Sequence, residues 1–306
     1  MALHARKSHA SIARFRRQRP DAPLVVALTG TDLYHDLRTS ARARLSLTLA
    51  TRLIVLQPRG VTALPLRYRA KARVLRQSAT GAKSRPPRRQ RVFEVCVLAH
   101  LRPVKDPFRA ARAARKLPAS SRIRILHAGA ALDARTATAA RIEEARNPRY
   151  RWLGDLPHGR ALRLLARSRL LVLTSRLEGG ANVLTEALAC KVPVVASRID
   201  GSLGILGSEY AGYFSVGDTR GLAALLHRVE TDARFYGRLV RTCRQLARLV
   251  DPKLERQSWE RLLLELTQGP PSRRSGGRRS ARGRMRAPRR VDAHRRARPF
   301  EDARLG

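Results

Sequence analysis

Residues 169–199 read RLLVLTSRLEGGANVLTEALACKVPVVASRI, and this stretch decides the fold. Leu170 to Leu173 is an apolar run of strand length. Ser175 to Gly180 breaks it with small and polar residues, and Gly179-Gly180 stands where a helix should begin. Ala181 to Cys190 predicts a helix, with Val183, Leu184, Ala187 and Leu188 at core-facing spacing. Pro193 opens a second buried strand, Val194 to Ala196. Together these make a βαβ unit. Its loop leaves the carboxyl edge of a parallel sheet, where open α/β sheets bind ligands.

The loop carries Glu178, and Glu186 follows eight residues later on the helix. Amides after Gly179 and Gly180 lie at a helix N-terminus and offer donors to a phosphate. Glycine lets a ligand approach the backbone. The glutamates would repel that phosphate, so they suit hydroxyls, those of a sugar for Glu178 and of a ribose for Glu186. A phosphate flanked by hydroxyls on both sides is a nucleotide sugar. Gly179, Gly180, Ala181, Asn182, Val183 and Glu186 are therefore the candidate donor-binding residues, and Glu178 a candidate catalytic one. The bland alternative is a solvated Glu186 and a Glu178 that merely complements the helix dipole.

This segment resembles the nucleotide-sugar signature of GT-B glycosyltransferases of family 4. VVALTGTDLYHDL, VLQPRG, HLRPVKDPFRAARAARKLPASSRIR, NPRYRWLGDLP and SRIDGSLGILGSEYAGYFSVGD narrow the match. With them the chain, from about Leu3 to Leu266, is similar to the selenosugar synthase branch, the glycosyltransferase of selenoneine biosynthesis. The resemblance implies an α/β fold of two Rossmann-like domains facing a cleft. It also implies a UDP-sugar donor, UDP-N-acetylglucosamine in that branch, a selenophosphate acceptor and no metal or other cofactor. The donor half holds no D-x-D-like acidic motif.

The 306 residues suffice for two domains, and 43% hydrophobic content supports sizeable cores. No run approaches the roughly 20 apolar residues of a membrane span. MALHARKSHAS is too polar for a secretory signal, which points to the cytoplasm. Cys96, Cys190 and Cys243 lack C-x-x-C spacing and read as buried thiols of a reducing compartment. The net charge of +41 invites a nucleic-acid partner. However, 57 arginines stand against seven lysines, a skew that fits a GC-rich coding sequence better than a phosphate-binding surface. The sequence leaves the oligomeric state open.

Residues 1–80 read as the acceptor-side domain. A strand end near His4 leads into a basic helix to Gln18. Strands follow at Leu24–Leu28, Leu53–Leu56 and Ala72–Leu75, with a helix over Ser40–Ala50. By resemblance the first half of this domain is absent, so the domain is expected to be incomplete and its sheet edge exposed. His4 and Ser8, among the cationic LHARKSH residues, are candidates to meet an anionic acceptor. In the Thr29-Gly30-Thr31-Asp32 turn, Gly30, Thr31 and Asp32 join them. Thr29 stands where family members carry a histidine, which suits an acceptor already ionised.

Residues 81–91 have linker composition. Residues 92–268 read as the nucleotide-sugar domain, opening with a strand over Val92–Leu98. The resemblance implies that an arginine and a lysine after this strand hold the diphosphate. Lys105 matches the lysine, His100 occupies the arginine's place, and Arg102 lies two residues on. Lys105 and Arg102 are thus candidates to stabilise leaving-group charge. Further strands are expected at Ile123–Ala128 and Tyr150–Leu153, and helices at Phe108–Lys116, Thr136–Ala145 and Ala161–Ser168. By resemblance uracil packs near Trp152-Leu153-Gly154. DGSLGILGSEYAGYF reads as loop-rich. Asp218 or Thr219 caps the next helix, and amphipathic helices follow over Arg234–Leu249 and Leu254–Leu266. In the family the last crosses back onto the first domain. Residues 269–306, with 13 arginines against three acidic residues, lack periodicity and should be disordered. Three other readings remain: a transferase with a hydroxyl acceptor, an inactive copy that still binds UDP, and a basic nucleic-acid binder.

Overall fold

The computed structural model describes residues 1–268 apart from Arg85 and Arg88, so the arginine-rich stretch 269–306 lies outside the described residues. Two parallel sheets carry the architecture. The first is four-stranded, in the order β1 (Ala2–Leu3), β2 (Val25–Ala27), β3 (Arg52–Val55), β4 (Ala72–Val74). The second has six strands in the order β10 (Tyr213–Phe214), β9 (Val194–Ser197), β8 (Leu170–Leu173), β5 (Phe93–Leu98), β6 (Ile123–Ala128), β7 (Tyr150–Trp152). Helices α1 (His9–Gln18), α2 (Leu37–Thr39), α3 (Ala41–Leu49), α4 (Arg59–Ala63) and α5 (Leu66–Arg69) connect the first sheet. Around the second lie α6 (Arg109–Ala114), α7 (Ala134–Arg146), α8 (His158–Arg167), α9 (Asn182–Ala189), α10 (Asp200–Leu206), α11 (Thr219–Thr231) and α12 (Ala233–Leu246). A last helix, α13 (Pro252–Thr267), closes the described chain. This is the GT-B arrangement of two Rossmann-like layers.

Strand alternation in the first sheet explains where α13 goes. Side chains one residue apart face opposite ways. Leu24, Val26 and Leu28 join Leu53 and Val55 in one core with Ile12 of α1 and Ala43 and Leu47 of α3. Val25, Ala27 and Ile54 face the other way, onto Leu262, with Trp259 and Leu266 packed alongside. A parallel sheet needs both faces covered. The second cover comes from α13, which in sequence belongs to the 92–268 stretch. Two arginines of the sheet fix it: Arg52 Nε donates to Glu265 Oε1 at 2.8 Å, and Arg73 Nε to Oε2 at 2.8 Å.

The second sheet shows why the site lies where it does. From β5 the chain steps outward to β6 and β7, then returns to the other side of β5 as β8, β9 and β10. The order therefore reverses beside β5, and the crevice at the carboxyl ends of β5 and β8 is the switch point where such sheets take ligands. β8 and β9 are buried along their whole length, as their unbroken apolar runs predict.

One expectation about local structure needs correction. DGSLGILGSEYAGYF is not loop: it contains α10 and β10. Its glycines mislead because they serve close approach. A Cβ on Gly201 would lie 2.4 Å from the Glu178 carbonyl oxygen, and one on Gly204 1.8 Å from Gln57 Oε1. The Thr29-Gly30-Thr31-Asp32 turn leads straight into a π-helical turn, Asp32–Asp36. The Asp32 carboxylate accepts from Thr29 N at 2.8 Å and Thr29 Oγ1 at 2.9 Å, which folds the turn onto itself.

Candidate functional site

Between the carboxyl edges of the two sheets lies a cleft of about 620 Å³. From the first sheet Leu3, Thr29, Gly30, Leu56 and Gln77 reach it, each just at or beyond a strand end. The second sheet supplies Lys105 and His100 after β5, Gly129 after β6, Asp155 and Leu156 after β7, and the Glu178–Val183 loop after β8. The lobes touch backbone to backbone here. A Cβ built on Gly30 would stand 2.4 Å from the Gly179 nitrogen, so only glycine fits at this seam.

Glu178, Gly179, Gly180, Ala181, Asn182, Val183, Glu186, Lys105 and Gly30 all line the cleft. Lys105 Nζ donates to Glu178 Oε1 at 2.5 Å, and Ser175 Oγ donates to the same oxygen at 2.7 Å. The Glu178 and Lys105 side chains keep only 12% and 29% of their surface, so this charge pair sits at the cleft floor in partial dehydration. Ser197 Oγ donates to the Ser175 carbonyl at 2.5 Å and thereby pins the loop to β9. Helix α9 begins behind Ala181 with no side-chain cap, which leaves its first amides directed outward. The cleft thus combines a cation, uncapped helix amides and two carboxylates.

Arg102, Ser8 and Thr31 do not line the cleft. Arg102 is exposed and precedes a short 3₁₀ turn, Pro103–Lys105, that carries Lys105 inward. Ser8 spends its hydroxyl on the Leu3 carbonyl at 2.6 Å. His4 and Asp32 sit just behind Leu3 and Thr29, with His4 Nδ1 2.8 Å from Asp32 Oδ1. Asp36 lies beneath them. Burial pushes its carboxyl up, but bonds from His35 and Arg6 outweigh that and hold it below the usual range. Among the described residues, one trio, His4, Asp32 and Asp36, brings potential metal-ligand atoms within 4.8 Å of one another. Both Asp36 oxygens are already engaged, by Arg6 at 2.9 Å and His35 at 3.0 Å.

One end of the cleft is built on β6 and β7. Gly154, at φ +67, turns the chain so that its carbonyl accepts from Gly129 N at 2.8 Å. Trp152 Nε1 donates to the Gly129 carbonyl at 2.9 Å, so the indole braces the wall. Beneath it His127, buried, bonds the Ala99 carbonyl and Tyr150. Its pKa is pushed down by burial to about 4. One residue escaped the sequence reading: His158, whose Nε2 lies 2.9 Å from Glu186 Oε1. Its helix and that of Glu186 are separate elements, so no local spacing connects the two.

Residues 82–246 match the model of the family described as glycosyl transferases group 1. The chain belongs to this family. It is a glycosyltransferase, and the matched stretch contains every cleft residue of the second sheet. A comparison with curated protein sequences returns no match. Among solved structures, HepE of Anabaena, in complex with UDP and glucose, shares 18% identity over 86% of this chain and 77% of that one, with a TM-score of 0.69. Sucrose-phosphate synthase of Thermosynechococcus elongatus shares 16% over 88% and 74%, with a TM-score of 0.70. The pneumococcal O-GlcNAc transferase GtfA, in complex with UDP and GlcNAc, shares 15% over 84% and 55%, with a TM-score of 0.67. At such identities the likeness is one of fold. No helix among the described residues is long and apolar enough to cross a membrane.

Proposed function

We propose that this glycosyltransferase takes a UDP-sugar, with UDP-N-acetylglucosamine as donor, and transfers the sugar to selenophosphate. The product is a selenosugar of the selenoneine type, formed by a family 4 enzyme acting in the cytoplasm. The observation that carries the donor half is the cleft at the switch point, where Glu178, Glu186, Lys105 and the uncapped amides of α9 converge. UDP in the complexes of HepE and GtfA supports that identity. The acceptor half rests on the resemblance of the quoted segments, and on Thr29 in place of a histidine.

Each group has a task in this reading. The diphosphate takes Lys105 from Glu178 and seats itself on the α9 amides. Glu178, released, accepts from a sugar hydroxyl, and Glu186 from a ribose hydroxyl. Selenium attacks the anomeric carbon as the bond to the diphosphate oxygen breaks, and UDP leaves with the electron pair. Lys105 and the helix dipole stabilise the charge that develops on that oxygen. Water then cleaves the selenium–phosphorus bond, releasing phosphate. The donor side needs no metal for these steps.

A second reading is favoured by the pairing of His4 with Asp32, which is fully buried. An imidazole beside a buried carboxylate suits a hydroxyl acceptor, whose proton must be removed. A UDP-release assay separates the two. With UDP-N-acetylglucosamine, release on adding selenophosphate but not sugar alcohols is expected. Release with alcohols alone would establish the second reading and overturn the first.

A further inference from the structure

We infer that His158 is the positioning residue of the nucleoside subsite, and that the site it completes discriminates ribose from 2′-deoxyribose. This rests on the assignment of Glu186 to the ribose. His158 and Glu186 both line the cleft, from α8 and α9 respectively. The imidazole Nε2–H donates to Glu186 Oε1 at 2.9 Å. Among the described residues no hydrogen bond to Oε2 is formed, so one carboxylate oxygen is held and the other is left for a ligand in the cleft that Glu186 lines.

A glutamate on a helix surface samples several rotamers, and ordering it costs free energy each time a ligand binds. Here the backbone just before the imidazole is restricted. Pro157 precedes it with φ −52, and the ring opens α8 at a position without side-chain capping. The imidazole has two rotatable bonds against the glutamate's three. The hydrogen bond from the stiffer group therefore favours one rotamer of the softer one. His158 is 73% exposed, so the pair contributes little to folding. Its consequence lies in where Oε2 points.

The charged groups around the pair make the bond specific. On the α8 side of the cleft, Asp155 also lines the wall. Lys105, the cation of the cleft, is committed to Glu178 instead. Among the described residues the Glu186 side chain therefore has one hydrogen-bond partner, His158. A ribose offers hydroxyls to Oε2, and a 2′-deoxyribose offers one fewer.

The test is calorimetric titration with UDP and with 2′-deoxy-UDP of the full chain and its variants. The wild type should favour UDP by about tenfold, the value of one hydrogen bond to a charged group. His158→Ala should bring the two ligands to within about twofold. His158→Gln, whose amide can donate in place of Nε2, should restore most of the discrimination. A purely structural role would weaken both ligands alike and leave their ratio unchanged. If His158→Ala keeps the wild-type ratio, or if His158→Gln is no better than Ala, the inference is overturned. A wild type that binds neither ligand would overturn the donor assignment as well. One that binds UDP, with Glu186→Gln weakened and His158→Ala unaltered, would overturn this inference alone.

Discussion

Replacing Glu265 with glutamine should loosen the last helix from the first sheet in a way that pH reveals. Glu265 takes bonds from Arg73 and Arg52, and these hold its carboxyl at about 2 against the ordinary 4.5. At about 1.4 kcal/mol per tenfold, that gap sets a ceiling of roughly 3 kcal/mol. The Glu265 and Arg73 side chains keep 29% and 37% of their surface, so solvent screening reduces it to roughly 1–2 kcal/mol. The folded pKa is depressed, so the stabilisation is present above about 4.5 and is lost as pH falls towards about 2. Thermal unfolding of the wild type and Glu265→Gln, followed by calorimetry from pH 7 to pH 3, is the assay. At pH 7 the variant should melt about 3–6 °C lower, and the gap should narrow by roughly half as pH falls to 3. A gap that is absent at pH 7, or constant across the range, would refute the clamp.

Two further outcomes follow from packing. Gly204→Ala should cost about 1–3 kcal/mol, because its Cβ would meet Gln57 Oε1, and Gln57 is fully buried and held by Arg59 N and Tyr34 Oη; urea unfolding measures it, and an unchanged midpoint would show that the lobes are not in contact there. All three cysteines are buried, and burial pushes the Cys96 thiol far above its usual range, so an aromatic disulfide reagent should label none of them until the protein unfolds.

Much of the fold was legible because its signals are local. β6 and β8 match their expected spans to the residue, and in β8 the reason is plain, since an apolar run buried along its whole length has nowhere else to go. The Glu178–Glu186 unit was equally readable, because strand, glycine pair, helix and strand follow one another directly. What escaped depends on contacts distant in sequence. Gly201 and Gly204 signal a break locally, yet they sit within α10, because Glu178 and Gln57 press against them. Likewise His158 has no meaning until α8 is laid beside α9. The covering of Val25, Ala27 and Ile54 by Leu262 joins strands near one end of the chain to a helix near the other. A helical moment shows that α13 has an apolar face, but not which surface receives it. Arg102 illustrates the opposite error: charge and position marked it for the diphosphate, yet the 3₁₀ turn after it brings Lys105 inward and leaves Arg102 outside.

The central claim is that the cleft binds the nucleotide of a UDP-sugar through Glu186. Calorimetric titration of UDP into the wild type, Glu186→Gln and, as an exposed control, Glu209→Gln tests it most directly. Saturable one-to-one binding is expected for the wild type and the control, with at least tenfold weaker binding for Glu186→Gln, the loss of a hydrogen bond to a charged group. Equal affinity in all three proteins, or no binding of UDP by the wild type, would contradict it.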